Sequence, residues 1–362
     1  MTLPTHPGTH PRIRAARSAD RLVYLASHPA LFGLLTVTRR RPVVRVGRTV
    51  LVHDAQAYHH VLTRVPLDRT AEGTTGGAAA RLTDGDQLFD QDGGAHRSAR
   101  REVSALLGAP GVAALRPLWR RVLAERLTEL PERTDLVPIV RELAGVTVAA
   151  LTGSSADPTA LARAACDAAT AAARDHLPTL LPPLPALTRR PSAQQAVGRL
   201  ASLLPDGRDA ALAVAAVNTT MAALPRAAAW CARAGLWAGL GPDTSPALAV
   251  ELLRLTAPSP ILPRVAAADA TVAGCPIRRG DRLILVARHA AQSHRDTPDD
   301  PPAAAQAVFG AGPHGCPGAA LARAQLADFL TALAPHAPRV LRSTVDRRAA
   351  LPGYAALLVG KG

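Results

Sequence analysis

The sequence predicts a mainly helical protein with a small β portion. Helix-favouring Ala, Leu and Arg recur in long runs, whereas aromatic residues make up only 3%. β-Branched runs are few and short. Apolar residues make up 48%, which excludes a disordered chain, and 362 residues allow one large domain or two ordinary ones.

The first third of the chain begins with a predicted loose leader and first helix over residues 1–40. Three early prolines disfavour a helix at the very start: Pro4, Pro7 and Pro11. Residues 41–54 carry two β-branched runs around Gly47, which predicts a β-hairpin. Residues 55–65 follow as a short helix. The polar, glycine-rich segment 68–94 is too long for a plain connection, so we expect it to be functional or disordered.

The segment after this loop reads GGAHRSARREVSALL and is predicted to be a helix. His96 and Arg100 are four residues apart, which places both on one helix face. Such a pair can be an ordinary solvated helix start or a binding site for an anionic group. Helical periodicity continues over 110–205, where a proline-rich stretch at 177–191 interrupts it.

Residues 209–237 are predicted to form a long apolar helix with a polar notch at Asn218, Thr219 and Thr220. Three adjacent polar residues can bond back to the preceding turn, or can open the helix to a water molecule. Pro225 should kink or break the helix just beyond.

The ELLRL sequence places Glu251 and Arg254 three residues apart on a helix, where they can form an ion pair. Prolines and β-branched alternation follow. They predict extended chain and a hairpin that turns near Gly274 and Gly280.

The most informative stretch is FGAGPHGCPGAALAR, residues 309–323. Its glycines leave room for a flat ligand against the backbone, because glycine has no Cβ. Pro317 suits the first position of a helix. The helix start then lies beside Cys316, where its partial positive charge favours the thiolate that a metal binds.

The spacing F-G-x-G-x-H-x-C-x-G-x-x-L-A-R resembles the haem-binding loop of the cytochrome P450 family. All nine fixed positions are filled here: Phe309, Gly310, Gly312, His314, Cys316, Gly318, Leu321, Ala322 and Arg323. The resemblance implies a single haem-thiolate domain over 1–362 with a P450-type fold. The chain is shorter than is usual for the family. Trimming is therefore expected in the helices that roof the pocket and in the meander before the cysteine loop, and 68–94 would cover the substrate.

The same resemblance assigns roles to individual residues. Cys316 would ligate the iron of haem b. Its neighbours in the cofactor site would be His96, Arg100, Arg264, Phe309, His314, Gly318 and Ala216. Thr219 would meet bound dioxygen with Asn218 and Thr220 beside it, and Glu251 with Arg254 would be a buried structural pair. Substrate-lining positions would be Val217, Pro260, Ile261 and Leu262.

Two departures from the family pattern have consequences. Asn218 replaces the usual acid before the threonine, and an amide cannot give and regain a proton as a carboxyl does. Proton delivery would then run through water and Thr219. The usual basic partner of the ion pair is also missing, so either His294 or Arg295 substitutes for it or the meander is shortened, which should leave that region less constrained.

Composition limits the classes of protein and the kinds of site that the sequence can represent. The net charge of +14 comes almost entirely from arginine and is spread along the chain without aromatic interleaving, which argues against nucleic-acid binding. It is consistent with an arginine-rich surface or with attraction of an acidic partner. There is no apolar run of membrane-spanning length and no secretory signal, so a cytoplasmic protein is expected. The four cysteines lie far apart, which argues against disulfides and zinc knuckles.

The resemblance implies an oxidoreductase that hydroxylates a small or mid-sized organic molecule in bacterial secondary metabolism, such as antibiotic biosynthesis. Electrons would pass from NAD(P)H through a separate ferredoxin and ferredoxin reductase, and the substrate could arrive on a carrier protein. Two alternatives stay open. One is an atypical member that uses peroxide or catalyses desaturation, coupling or rearrangement. The other is a haem-binding protein without catalysis.

Overall fold

The computed structural model describes residues 9–83, 91, 93–176 and 192–362. Helices dominate it. The helices of seven or more residues are α1 (Thr9–Ser27), α2 (Pro29–Thr38), α3 (Ala55–Arg64), α4 (Thr75–Thr83), α5 (Gly93–Leu107), α6 (Ala109–Leu127), α7 (Leu136–Thr152), α8 (Pro158–His176), α9 (Ala193–Ala201), α10 (Ala210–Ala234), α11 (Ser245–Thr256), α13 (Pro301–Ala307) and α14 (Ala319–Leu333). A single turn, α12 (Ala287–Ala290), lies between α11 and α13.

Within the described residues, ten short strands form three small sheets. They are β1 (Val43–Val46), β2 (Thr49–Val52), β3 (Leu67–Asp68), β4 (Thr134–Asp135), β5 (Leu262–Ala266), β6 (Ala270–Val272), β7 (Cys275–Ile277), β8 (Arg282–Leu285), β9 (Arg339–Val345) and β10 (Tyr354–Gly360). The largest sheet has the order β1-β2-β8-β5-β3, in which only β2 and β8 run parallel. The β4-β10-β9 sheet and the β6-β7 hairpin complete the set.

The core is built where helices cross. The largest apolar cluster joins α1, α6, α7, α10, α11 and α14, with Trp119 and Trp230 among its buried side chains. The crossing of α7 and α8 is especially close: a Cβ at Gly145 would lie 1.9 Å from the carbonyl oxygen of Pro158. Only glycine allows this approach.

A buried charge network ties the first helix to the centre of the fold. Asp20, 3% exposed, accepts bonds from Arg226 Nε on α10 and from Arg288 Nη2 on α12, both at 2.8 Å. Arg226 and Arg288 also donate to the carbonyl oxygen of Thr256. Because every charge here has an opposite charge or a carbonyl beside it, burial of the three groups is tolerated.

Several boundaries differ from the sequence expectation. Helix α1 already begins at Thr9, because Pro11 falls in its first turn, where the missing N–H has no helical partner to lose. The expected loop at 68–94 contains α4, and its residues 84–90 and 92 lie outside the described part of the chain. Helix α10 continues past Pro225 to Ala234, since both halves are packed in the core. The proline-rich stretch 177–191 lies outside the described residues.

The ion pair predicted at Glu251 and Arg254 is present, with Nη2 2.5 Å from Oε1 and Arg254 only 1% exposed. Neither His294 nor Arg295 supplies the missing third side chain. Arg254 instead donates to the carbonyl oxygens of Ala291, Gln292 and Arg295, while the Arg295 side chain pairs with Asp299. The backbone therefore provides the missing contact, and the region is held more firmly than expected.

A pair of buried histidines joins β2 to α12. His53 and His289 share a bond between their Nδ1 atoms at 2.9 Å, and Thr38 Oγ1 lies 3.0 Å from His53 Nε2. Burial and nearby positive groups, Arg39 among them, lower the pKa of His53 to about 4 and that of His289 to about 2. The ring that accepts the shared proton must be neutral, and burial disfavours a charge on the other ring.

This pair should make the fold acid-sensitive. An unfolded histidine has a pKa of about 6.5, so below that pH the unfolded chain binds protons that the folded pair refuses. We expect the free energy of unfolding to fall as the pH drops from about 6.5 towards 4. Denaturant titrations across this range should show a shallower fall in a His53→Gln/His289→Gln variant. Equal slopes in the two proteins would contradict the prediction.

Candidate active site

The site is built around the loop that leads into α14. Gly310 and Gly312 adopt φ of 76° and 70°, and a Cβ at Gly312 would lie 3.0 Å from the carbonyl oxygen of Leu62 on α3. The Cys316 N–H then donates to the carbonyl oxygen of Phe309 at 2.7 Å, which closes the loop. The guanidinium of Arg323 lies 4.8 Å from the Phe309 ring centre. The turn thereby fixes Cys316 three residues before α14, which begins at Ala319 after the N-cap Gly318 and not at Pro317 as the sequence suggested.

The Cys316 side chain borders a large internal cavity. The cavity is open to solvent on one side and has a volume of about 280 Å³. The sulfur is open to this space but surrounded by protein on its other sides, and this burial raises the pKa of the thiol. The Gly318 N–H, Arg100 and Arg323 act in the opposite direction. The sulfur therefore faces the cavity and not the bulk solvent.

Four cationic or imidazole side chains line the same cavity as the sulfur. His96 on α5 stacks on His314 of the loop, with ring centres 3.9 Å apart. Arg100, one turn after His96, donates from Nη1 to the carbonyl oxygen of Gly315. Arg264 on β5 is 9% exposed, and burial together with the nearby Arg69 lowers its pKa to about 10. This concentration of positive groups favours an anionic ligand.

The remaining walls are mostly aliphatic. They come from α5, α7, α10, α11, β5 and the start of α14, and include Leu107, Ala144, Val148, Leu151, Leu212, Ala215, Ala216, Ala223, Leu224, Leu253, Leu262, Leu321 and Ala322. Among the described lining residues, Asp68 is the only one with a carboxyl side chain. Its Oδ1 accepts hydrogen bonds from Thr70 and Ala71. The cavity thus suits an apolar ligand that bears anionic groups at one part of its surface.

All eight predicted cofactor-site residues line this cavity. His96, Arg100, Arg264, Phe309, His314, Cys316, Gly318 and Ala216 all line it, as do Thr219 and Thr220. Thr219 Oγ1 donates to the carbonyl oxygen of Ala215 at 2.9 Å. Its oxygen keeps lone pairs that can accept a further bond.

Asn218 does not line the cavity as the sequence suggested. Its Nδ2 donates to the carbonyl oxygens of Ala165 on α8 and Val214, at 3.3 and 2.8 Å. Each helical residue is turned by about 100° from the one before, so Asn218 and Thr219 face different neighbours. Val217 was also expected to line the cavity. It is fully buried in the cluster of α7, α8, α9 and α10 instead.

Pro260 and Ile261, two further predicted lining residues, are not among the residues that line this cavity. Ile261 packs against the cluster of Tyr24, Phe32 and Leu35, and the carbonyl oxygen of Pro260 accepts a bond from the Arg288 N–H. Leu262 does line the cavity, together with Pro258 and Ser259, which the sequence did not indicate. The chain turns into β5 at Leu262, so neighbouring residues face opposite sides there.

Asp68, Arg69, Thr74 and Gly76 also line the cavity, and all four belong to the 68–94 segment that was expected to cover the substrate. Thr147 and Gln325 line it as well, and the sequence analysis did not indicate either. Gln325 had a readable signal. It follows Gly318 and Ala322 at helical spacing and is a lone amide in an apolar run. Thr147 had none, since only tertiary packing brings it to the cavity.

No family model matches the sequence, and no curated protein matches it. Solved structures do match the fold. CYP109E1 from Bacillus megaterium, in complex with testosterone, aligns over 93% of this chain and 98% of its own, with TM-score 0.71 and 18% identity. The chain has the cytochrome P450 fold. P450BioI, in complex with an acyl carrier protein, gives TM-score 0.69 and 16% identity over 93% of this chain and 99% of its own.

A third similar structure is P450 OxyD, which is involved in the biosynthesis of vancomycin-type antibiotics. It aligns with TM-score 0.66 and 20% identity, over 94% of this chain and 98% of its own. The P450 fold is therefore present in a sequence that shares about one residue in five or fewer with these structures.

In the described part of this chain, no helix has the length and apolar character needed to cross a bilayer.

Proposed function

We propose that the protein is a cytoplasmic haem-thiolate monooxygenase that hydroxylates a small or mid-sized organic molecule. The observation that carries this proposal is the sulfur of Cys316 facing a large apolar cavity in a P450 fold, with His96, Arg100, Arg264 and His314 on the same cavity. That set of donors fits haem b, because a thiolate binds iron and guanidinium or imidazole groups bind carboxylates.

In this assignment Cys316 would ligate the iron. The four cationic or imidazole side chains would hold the two propionates. A thiolate-ligated haem supplies the oxidising chemistry that cleaves dioxygen and attacks a C–H bond. The protein's own residues would bind the substrate and shape the site. The aliphatic walls exclude water and orient the substrate, while Thr219 presents a hydroxyl to the cavity.

Electron supply and substrate source form the finer part of the proposal. A separate ferredoxin and its reductase would carry electrons from NAD(P)H, and the arginine-rich surface suits an acidic partner. Secondary metabolism is supported by similarity to P450 OxyD and to P450 EryK, whose structure contains erythromycin B. A carrier-bound substrate is supported by the acyl carrier protein complex of P450BioI.

One observation favours a second candidate, an atypical member that uses peroxide. Asn218 is turned away from the cavity, and the described wall of α10 presents threonine hydroxyls without a carboxyl. Desaturation, coupling or rearrangement are outcomes of the same kind. This candidate differs from the first in how oxygen and protons reach the site.

Replacement of Cys316 tests the primary proposal. The haem-loaded, reduced protein exposed to carbon monoxide should show the absorption band of a thiolate-bound haem. A Cys316→Ser variant should lose that band, because serine offers no thiolate. Cys275→Ser is the matched control, since Cys275 lies in the β6-β7 hairpin and not on the cavity. Absence of the band in the wild-type protein would refute the proposal.

Peroxide turnover separates the two candidates. A ferredoxin-supported enzyme should oxidise substrate at least about tenfold faster with NADPH, ferredoxin and reductase than with peroxide alone, a difference of about 1.4 kcal/mol in barrier. Product formation by both routes is measured on one preparation. A peroxide rate equal to or above the ferredoxin rate would favour the atypical candidate.

The residue after the cysteine should tune the reduction potential. Pro317 has no N–H, so the backbone donor to Cys316 Sγ comes from Gly318. Pro317→Ala adds a donor next to the sulfur, which withdraws charge from it and should raise the potential. Spectroelectrochemical titration measures the reduction potentials of the wild-type protein and Pro317→Ala. Pro313→Ala, which adds an N–H elsewhere in the loop, is the control. An unchanged or lower potential in Pro317→Ala would contradict this.

A further inference from the structure

Positive charge is concentrated at the N-terminal side of the fold. Arginines occur throughout the chain, but residues 9–53 contain nine of them and a single carboxylate, Asp20, so this segment supplies +8 of the net charge of +14. Asp20 is buried between Arg226 and Arg288. The solvent-facing side of the segment therefore has no carboxylate of its own.

Five of these arginines are exposed on α1 or directly after α2: Arg14, Arg21, Arg39, Arg40 and Arg41. Within the described structure, Arg17 and Arg45 are the two of the nine that form ion pairs. Burial, and then the nearby charges of Arg21 and Arg40, lower the pKa of Arg39. The end of α2 therefore lies close to Arg21 on α1, and the exposed sides of the two helices adjoin.

The helix beside these arginines is apolar on all sides. Its sequence is PALFGLLTVT, which has no charged residue, and the hydroxyls of Thr36 and Thr38 donate to carbonyl oxygens one turn earlier. One face packs inward through Phe32 and Leu35, which are 2% and 0% exposed. A helix that is apolar all round is normally enclosed by protein or by lipid.

The outer face of α2 has no cover in the described structure. Four residues follow each other at helical spacing on this face: Ala30, Gly33, Leu34 and Val37. Val37 is 81% and Leu34 41% exposed, and a Cβ placed on Gly33 would meet nothing within 4 Å beyond its own stretch of helix. Leu22 on α1 is 67% exposed. Aliphatic side chains therefore project from the same side of the protein as the arginines.

We propose that this α1–α2 surface docks on an anionic lipid bilayer. Its members are Leu22, Leu34 and Val37 with Arg14, Arg21, Arg39, Arg40 and Arg41. The three aliphatic side chains enter the boundary between headgroups and acyl chains. The arginines, whose long stems let the guanidinium groups reach outwards, bond to lipid phosphates. A helix that binds in this way lies in the plane of the membrane and needs no spanning length.

The chemistry of the α1–α2 surface favours a bilayer over a protein or a nucleic acid. Protein interfaces are enriched in aromatic side chains, but the aromatic residues of this segment, Tyr24 and Phe32, are both buried. A nucleic acid would pair with the arginines and leave the aliphatic side chains in water. An anionic bilayer binds both, and peripheral membrane binding is stable when an apolar and a basic signal act together.

Vesicle binding by the full-length protein tests the arginines. The protein is sedimented with sucrose-loaded vesicles of equimolar phosphatidylcholine and phosphatidylglycerol, and with vesicles of phosphatidylcholine alone. We expect binding to the mixed vesicles and far weaker binding to phosphatidylcholine. An Arg39→Gln/Arg40→Gln/Arg41→Gln variant should bind the mixed vesicles about a hundredfold more weakly, since each arginine near an anionic surface contributes about fivefold.

The matched control removes the same charge elsewhere. An Arg97→Gln/Arg101→Gln/Arg121→Gln variant changes exposed positions on α5 and α6 and should bind close to the wild-type strength. An equal loss of binding in the two triple variants would overturn the proposal, because net charge alone would then account for it.

An uncharged substitution tests the apolar part of the α1–α2 surface. Val37→Asn should weaken binding to the mixed vesicles about tenfold, because one aliphatic side chain no longer leaves water. Leu106→Asn, at a position on α5 that is 50% exposed, is the control and should have no effect. This pair keeps the proposal testable if the triple arginine variant does not fold.

Three results would overturn the proposal. They are a wild-type protein that does not bind the mixed vesicles, equal binding to the two kinds of vesicle, and unchanged binding in Val37→Asn. The last result, combined with a loss of binding in the triple variant at 39–41, would indicate a polyanion such as a nucleic acid as the ligand of these arginines.

Discussion

The guanidinium of Arg254 holds together the part of the fold on which the cysteine loop depends. It is 1% exposed and bonds to Glu251 and to three carbonyl oxygens between Ala291 and Arg295. A buried cation needs this many partners, because an unpaired one would be strongly destabilising. The contacts fix α11 to the segment that leads through α13 to the loop. The position of the Cys316 sulfur therefore rests on a charge far from solvent.

The cysteine loop and the His96–Arg100 helix were predictable from sequence because their chemistry is local. Glycine positions and a four-residue spacing each specify geometry within a few residues. The convergence of α5, β5 and the loop on one cavity follows from the P450 fold that these motifs indicated. The eight residues that the resemblance assigned to the cofactor site all line this cavity.

The α10 residues were harder to predict, because a motif gives an order of residues and not a helix face. Asn218, Thr219 and Thr220 are consecutive, yet their side chains reach α8, the preceding turn of α10 and α14 respectively. Pro225 was expected to interrupt the helix, but the packed core outweighs the local preference. The 68–94 segment lacked a strong apolar period, so the packing of α4 was not apparent.

The close crossing of α7 and α8 at Gly145 has an evolutionary consequence. The backbones already touch, so the two helices cannot approach further, and a larger residue at 145 would force them apart. Ala144, Thr147 and Val148 flank this contact and face the cavity. New ligand preferences on this side must therefore arise by substitution of individual side chains, because the α7 and α8 backbones cannot move closer together.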